Sequence, residues 1–301
     1  MKLGVCSALF ILTSLSSAVS VDAHQQIGVA HADTVRVSKD AYQGFVYPNN
    51  AQNAVSLSFD DARVSQVDIG LPILDKYGVK ATFYVVPNAV EERLAGWQQA
   101  AKNGHEIANH TANHVCSGNF EWLRQKGLGL EQIDLNWLAE DMDITSRYIE
   151  EKLAVKATGF AYPCGHTFVG QGEKTQSYVP LVAEKFNVGR TWNDETGNNP
   201  NYVDMAQVAA IRMDGMSFEQ LVEMIEFMRV NNSWIVLAGH EVGKSGWYTV
   251  DEQVLVQLIA YFNDPKNGYW LDTIDNVATH ITKQRAHNSE KRDSSQLSSG
   301  D

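Results

Sequence analysis

The sequence predicts an α/β fold, a distorted (β/α) barrel of seven or eight strands in a single domain. From about 54 to 281, short apolar runs rich in β-forming residues alternate with longer segments of helical period. Such alternation is typical of a largely parallel sheet whose strands are joined by helices. Neither a GxGxxG sequence nor a P-loop follows the first apolar run, which disfavours an open nucleotide-binding sheet.

The predicted elements follow one another in chain order. Apolar runs bounded by turn residues predict strands at 54–59, 79–86, 106–111, 158–163, 188–192, 208–213, 234–239 and 269–273. Amphipathic segments predict helices at 64–77, 91–103, 131–153 and 218–230. The first two end beside Gly78 and Gly104, the residue type that commonly follows a helix. The irregular insertion at 115–130 contains Phe120 and Trp122, and loops placed there on a barrel often shape a cleft.

Both ends of the chain differ from this core. Lys2, an apolar run at 3–15 and small residues up to Ala23 are typical of a signal peptide, so 1–23 is predicted to be removed on export. An N-terminal buried strand or helix is the alternative. A leader at 24–46, a folded domain at 47–284 and a polar, disordered tail at 285–301 complete the prediction. The protein is therefore expected to be secreted or periplasmic, and no other run is long enough to span a membrane.

Composition and charge exclude some classes of partner. The chain has 301 residues and a formal net charge of -12, which disfavours nucleic acid, whose phosphates require clustered Lys and Arg. A neutral or cationic partner fits better than a strongly acidic one, and no obligate protein partner is evident. With Cys6 inside the predicted signal, Cys116 and Cys164 remain in an oxidising compartment. They are a disulfide candidate, or alternatively two buried free thiols.

Carboxylates and histidines lie where predicted strands end, the positions that line the mouth of a β/α barrel. Asp60 and Asp61 end the first strand, where one carboxylate suits a metal and the other a base; alternatively they cap the next helix. His110 and His114 are four residues apart, a spacing that puts both rings on one side of a helical turn and within reach of one ion. His240 ends the 234–239 strand and is a candidate general acid, unless it merely caps the strand.

In this order, these motifs resemble those of the polysaccharide deacetylase family (carbohydrate esterase family 4, the NodB-homology domain). The resemblance spans about 47–281 and includes the stretches 54–61, 80–85 and 104–111. It implies that 47–284 is a catalytic domain that hydrolyses acetyl groups of an acetylated carbohydrate. It also implies a divalent metal, with Zn²⁺ favoured and Co²⁺ as another option.

The resemblance assigns roles residue by residue. Asp60 matches the family's catalytic base, and His240 matches its general acid. The metal ligands are Asp61, His110 and His114. In the third motif the backbone N–H of Cys164 is placed at the oxyanion, and in the fourth motif Trp192 is placed against the acetyl pocket.

Two motifs depart from the family pattern. The third has Ala161 where the family has the arginine that orients the base. Arg190, at the end of a later predicted strand, is the candidate replacement; the alternative is an ordinary strand-end charge. In the altered fourth motif, Asp194 is the candidate for tuning His240.

The same resemblance brings the motifs of Cys116 and Cys164 together around one metal and so implies a disulfide between them, with thiolate metal ligands as the alternative. The sequence leaves the substrate open between N-acetyl groups of chitin- or peptidoglycan-like chains and O-acetyl groups of xylan-like chains. A non-catalytic carbohydrate- or metal-binding relic on the same fold, and a hydrolase of small amides, are the other hypotheses. Four aromatic residues are candidates either for stacking on sugar rings or for the core: Trp122, Tyr178, Trp247 and Tyr248.

Overall fold

The computed structural model describes residues 45–229 and 232–298, and side chains through 290. The predicted signal peptide at 1–23 lies outside the described residues, as do positions 24–44 of the leader. Among the helices that are described, none is both long enough and apolar enough to cross a membrane.

A curled parallel sheet of eight strands forms the centre of the described part of the chain. The described residues form twelve strands: β1 (Asn53–Asp60), β2 (Thr82–Val85), β3 (Glu106–Asn109), β4 (Gly159–Ala161), β5 (Phe168–Val169), β6 (Gln176–Ser177), β7 (Val188–Arg190), β8 (Ile211–Arg212), β9 (Trp234–Gly239), β10 (Glu241–Gly243), β11 (Thr249–Asp251) and β12 (Tyr269–Leu271). Two short pairs, β5 with β6 and β10 with β11, lie outside the eight-stranded sheet. The order in the sheet is β7-β4-β3-β2-β1-β9-β8, and β12 pairs with the first half of β1. A parallel bridge from Arg190 to Val208 joins the β7 edge to the segment before β8. The predicted α/β distorted barrel is therefore confirmed.

Helices surround this sheet. They are α1 (Leu71–Lys76), α2 (Pro87–Val90), α3 (Leu94–Lys102), α4 (Glu121–Gln125), α5 (Leu135–Leu153), α6 (Val179–Lys185), α7 (Phe218–Met228), α8 (Glu252–Asn263) and α9 (Ile274–Ser298). The four predicted helices are confirmed as α1, α3, α5 and α7, with shorter bounds. Side-chain caps fix three starts: Asp134 accepts from Trp137 N, Asp251 accepts from Gln253 N, and Ser217 begins α7 in a capping box.

The alternation of side chains along the strands creates two packed layers. Val55, Leu57 and Phe59 of β1 face the helices and belong to the larger hydrophobic cluster. The inward positions form a second cluster that contains small residues, among them Ala108 and Ala161. These alanines leave room inside the barrel for larger polar side chains that extend toward its carboxyl end.

The carboxyl-terminal boundary differs from the prediction. A disordered tail was predicted from 285, but α9 continues to Ser298. Arg285 explains part of the difference, because its guanidinium donates to the carbonyls of Pro200 at 2.6 Å and Val203 at 2.9 Å. Those bonds tie a helical turn beyond the predicted boundary to the domain.

Candidate active site

Two carboxylates leave β1 in different directions. Asp60 is the last residue of β1 and is 4% exposed, whereas Asp61 has φ 74 and begins the turn. The amide of Gln66 donates to the carbonyl of Asp60 at 2.6 Å and to that of His240 at 2.8 Å. This bond pair fastens the end of β1 to the end of β9, so the side chains that follow the two strands share one space.

Asp61, His110 and His114 form a group that fits a divalent metal. Oδ1 of Asp61 lies 3.5 Å from Nε2 of His110 and 3.3 Å from Nε2 of His114. Their ligand atoms all lie within 4.8 Å of one another. That Oδ1 atom is buried without a hydrogen-bond partner among the described residues, an arrangement a cation would satisfy. Two imidazoles and one carboxylate are also a donor set typical of catalytic zinc.

The two histidines are held with their Nε2 atoms toward this group. Nδ1 of His110 donates to the carbonyl of Ala161 at 2.9 Å, which fixes the tautomer that leaves Nε2 free to bind. Burial lowers the pKa of His114 to about 4, so that this imidazole is neutral near neutral pH, as a ligand must be. Burial opposes ionisation of Asp61, but its contact with His110 and the nearby imidazoles of His114 and His240 hold the pKa of Asp61 below its usual range.

The backbone between the histidines is a loop and not the predicted helical turn. Thr111 and His114 have φ values of 62 and 47, which place both residues in the left-handed region. Asn109 Oδ1 accepts from Thr111 N at 2.8 Å, and Thr111 Oγ1 accepts from His114 N at 3.0 Å. Side-chain bonds to the backbone therefore bring the two rings together, with centroids 4.7 Å apart.

Arg190 contacts Asp60 inside the barrel. One terminal nitrogen of its guanidinium lies 2.5 Å from Oδ1 and 2.6 Å from Oδ2, and its side chain is fully buried. The sheet register pairs Arg190 with Ala161 on the neighbouring strand. Arg190 therefore enters the barrel at the same level as Ala161, which lies on the adjacent strand and stands where the family has its arginine. The guanidinium also lies over the ring of Tyr84, 4.8 Å from its centroid.

His240 is oriented by Asp214, and not by Asp194, the residue predicted to tune it. Nδ1 of His240 donates to Asp214 Oδ2 at 2.7 Å, and its backbone N–H donates to Oδ1 at 2.9 Å. Asp194 instead accepts from the hydroxyl of Thr191 at 2.6 Å and from Ala210 N at 2.9 Å. Burial opposes protonation of His240, but the Asp214 hydrogen bond and the nearby carboxylates raise the pKa of His240 above its usual value.

These groups open into one cavity of about 480 Å³. Of the candidates, Asp60, Asp61, His110, His114, Cys164, Trp192 and His240 line it. The Trp192 ring lies edge-to-face with that of His240, 4.8 Å between centroids. Trp122 and Tyr248 also line the cavity and are 38% and 54% exposed. Tyr178 is 1% exposed and belongs to the core, so it cannot stack on a sugar ring, while Trp247 is exposed but outside this lining.

Cys116 and Cys164 form a disulfide, with Cα atoms 5.8 Å apart. The bond joins the start of the insertion at 115–130 to the turn after β4. That insertion carries Trp122 over the cavity, its ring 6.4 Å from that of His114.

Sequence reasoning missed two charged residues of the site. Asp214 follows a predicted strand directly, so its strand-end position was an available signal. Arg63 donates to Asp61 Oδ2 at 2.8 Å and lines the cavity. Arg63 lies in a turn, two residues after a predicted ligand, and this position does not indicate a site residue in the sequence. The direction of its side chain depends on the positive φ of Asp61.

The comparisons with known proteins agree with this geometry. The family model described as polysaccharide deacetylase matches residues 48–177. The matched segment includes Asp60, Asp61, His110, His114 and Cys164, and it resembles this family. An uncharacterised Bacillus subtilis protein, YlxY, is 35% identical over 38% of this chain and 30% of its own length. A Bacillus cereus peptidoglycan-N-acetylglucosamine deacetylase is 34% identical over 26% of this chain and 37% of its own length. The chain thus spans about a third of the length of these curated relatives.

A solved structure has the same fold as this chain. The structure, from Mycobacterium smegmatis and assigned as a polysaccharide deacetylase, has a TM-score of 0.59, with 17% identity over 80% of this chain and 94% of that one. At this identity the likeness shows a shared fold only.

Proposed function

We propose that this chain is a metal-dependent hydrolase that removes acetyl groups from a polysaccharide or oligosaccharide. One observation carries the proposal: Asp60, which Arg190 holds, and His240, which Asp214 holds, both line the cavity that Asp61 also lines. A base and an acid beside a metal-binding group are the parts that metal-assisted hydrolysis requires. Asp61, His110 and His114 would hold the ion, Zn²⁺ first or Co²⁺, which when bound polarises a carbonyl and acidifies water.

Asp60 is the base that accepts a proton from the attacking water. Its two oxygens are held by Arg190, so the carboxylate is fixed in orientation and given a counter-charge. A fixed carboxylate loses little freedom when it takes the proton. Arg190 is a positioning residue here, since it acts through Asp60.

His240 is the acid that protonates the departing amine or alcohol. Asp214 accepts from Nδ1, which leaves Nε2 toward the cavity, 4.0 Å from Asp61 Oδ2. The raised pKa of His240 keeps more of the ring protonated near neutral pH, as an acid requires. The N–H of Cys164 and the ring of Trp192 are proposed to bind the oxyanion and the acetyl methyl group.

The substrate is proposed to be a carbohydrate with N-acetyl groups. Exposed aromatic rings at Trp122 and Tyr248 border the cavity, and such rings suit the apolar faces of sugars. The Bacillus cereus relative, 34% identical, is a peptidoglycan-N-acetylglucosamine deacetylase, which favours N-acetyl over O-acetyl groups. Export to the cell surface or the medium remains a prediction, and N-terminal sequencing of protein from the medium would test it.

The deciding experiment measures acetate released from N-acetylated chitooligosaccharides, peptidoglycan and acetylated xylan. Each substrate is incubated with chelated protein, then with Zn²⁺ or Co²⁺ restored, and with Asp60→Asn alongside. Acetate should appear only with metal and fall by about 10²-fold or more in the variant. Tight metal binding without acetate from any substrate would reject the hydrolase and favour the non-catalytic relic.

A further inference from the structure

The two ring nitrogens of His114 face two different groups. Nε2 lies 3.3 Å from Asp61 Oδ1, within the proposed catalytic group. Nδ1 lies 3.8 Å from Sγ of Cys116. A metal-binding histidine ordinarily gives its second N–H to a carboxylate or a carbonyl. In His114 the atom in that position is a disulfide sulfur, which is a weak acceptor.

A second group of potential ligands follows from this contact. One ligand atom from each of His114, Cys116 and Cys164 lies within 4.8 Å of the others. The bond between the cysteines now keeps both sulfurs from being thiolates, the form that binds metals. Cys116 is fully buried, whereas Cys164 lines the cavity, so a small reductant can reach the bond from solvent.

We propose that the disulfide closes a second metal site, which two thiolates and Nδ1 of His114 form when the bond is reduced. A dithiol supplies two electrons and two protons, becomes a disulfide itself and leaves two cysteine thiols. Binding of a divalent ion with an affinity for sulfur, such as Zn²⁺ or Co²⁺, then releases both thiol protons. Nε2 of His114 carries the ring proton in that state and donates it to Asp61, the carboxylate it already faces.

The two sites share one histidine, so they compete for it. In the oxidised protein His114 belongs to the group with Asp61 and His110. In the reduced protein it belongs to the thiolates, and the proposed catalytic group loses a ligand. This consequence rests on the proposed function, but the existence of the thiolate site does not.

The test uses His110→Ala, which removes a ligand from the catalytic group and none from the second one. Cys6→Ser is added throughout, so that each chain contains only the two cysteines in question. Reduction with a dithiol, removal of the dithiol without oxygen and then addition of Co²⁺ should give a thiolate-to-cobalt charge-transfer band and one Co²⁺ per chain. The oxidised sample should show no such band. Cys116→Ser/Cys164→Ser in the same background should show none in either state.

Absence of the band in the reduced, folded His110→Ala variant would overturn the proposal. So would a band of equal strength in urea, because that would report the thiols of an unfolded chain. Near-UV circular dichroism follows the fold, and loss of the spectrum on reduction without recovery on adding Co²⁺ also counts against the site. None of these measurements depends on acetate release, so failure here is distinguishable from failure of the hydrolase proposal.

Discussion

Two carboxyl groups face the interior of the barrel at opposite ends and have different partners. Asp60, at the carboxyl end of β1, is bound through both oxygens by the guanidinium of Arg190. Glu106, at the amino end of β3, accepts through Oε2 from the hydroxyl of Thr82 at 2.7 Å and from Asp275 N at 2.9 Å. Both donors are neutral. Oε1 of Glu106 is buried and has no partner among the described residues.

The difference appears in how Glu106 titrates. Burial raises the pKa of Glu106 to about 7, because hydrogen bonds from neutral groups do not replace a counter-charge. A side chain at Gly159 would come within 2.8 Å of Oε1, so the neighbouring strand leaves room for the carboxyl without supplying a donor. The barrel interior thus gives Asp60 an arginine at the end with the proposed chemistry. Glu106, at the other end, has no arginine partner among the described residues.

Removing the arginine should have the largest effect. Arg190→Met leaves Asp60 buried without its counter-charge, so we expect acetate release to fall by about 10²-fold or more. The free energy of unfolding should fall by about 3–5 kcal/mol, the usual effect of breaking a buried pair. Adding Asp60→Asn should restore much of the stability but none of the activity. Unchanged activity in Arg190→Met would show that the pair is only structural.

Moving the arginine sharpens the same comparison. Because the register pairs Ala161 with Arg190, Ala161→Arg/Arg190→Ala returns the guanidinium to the family's position at the same level of the barrel. We expect kcat at least about tenfold above that of Arg190→Ala, since the planar guanidinium can again hold both oxygens. Ala161→Lys/Arg190→Ala is the matched control and should recover less. If Ala161→Arg/Arg190→Ala folds but its kcat does not exceed that of Arg190→Ala, then activity requires the arginine at position 190.

The acid should respond more weakly than the base. Asp214 raises the pKa of His240, and activity that needs the protonated ring is lost as pH rises through that pKa. Asp214→Asn should therefore move the alkaline limb of the kcat profile to lower pH. Asp194→Asn is the control and should leave the limb in place, because Asp194 contacts Thr191 and Ala210 instead. Equal shifts in both variants would contradict the assignment.

Asp194 and Asp214 show that the sequence locates strand ends but not which strand ends are neighbours. Strand ends located the carboxylates and histidines of the site, because an apolar run and the polar residue after it are local features. Which strand ends are neighbours depends on the order of strands in the sheet. β8 pairs with β9, so Asp214 after β8 meets His240 after β9. Asp194 follows β7 and instead accepts from Thr191 and from the backbone of Ala210, just before β8.

The same limit applies to the arginine and to the carboxyl-terminal helix. Arg190 was a candidate because it ends a strand, but its contact with Asp60 needs the register of β4 and β7 and the small alanines inside the barrel. For α9, polar composition predicted a tail, and the anchoring bonds of Arg285 come from residues about 80 positions earlier. Long-range contacts of this kind leave no local pattern.

The smallest expected effect is on stability and concerns Glu106. Its pKa is about 7 in the folded protein and near 4.5 when unfolded, so the folded state binds a proton that the unfolded state releases. The stability from this proton is complete below about pH 4.5 and is lost as pH rises to about 7. Glutamine does not titrate, so in the Glu106→Gln variant position 106 should not lower the free energy of unfolding over this pH range.

Urea unfolding between pH 4.5 and pH 8 measures this difference. Near pH 8 we expect Glu106→Gln to be more stable than the wild type by about 1–3 kcal/mol, and near pH 4.5 the two should be close. Glu223→Gln, at an exposed position on α7, is the matched control and should show no such crossover. A Gln variant less stable at every pH would mean that the carboxylate form is the one Thr82 and the amino end of α9 stabilise, as a helix dipole favours. The two ends of the barrel would then differ in their donors but not in the charge they hold.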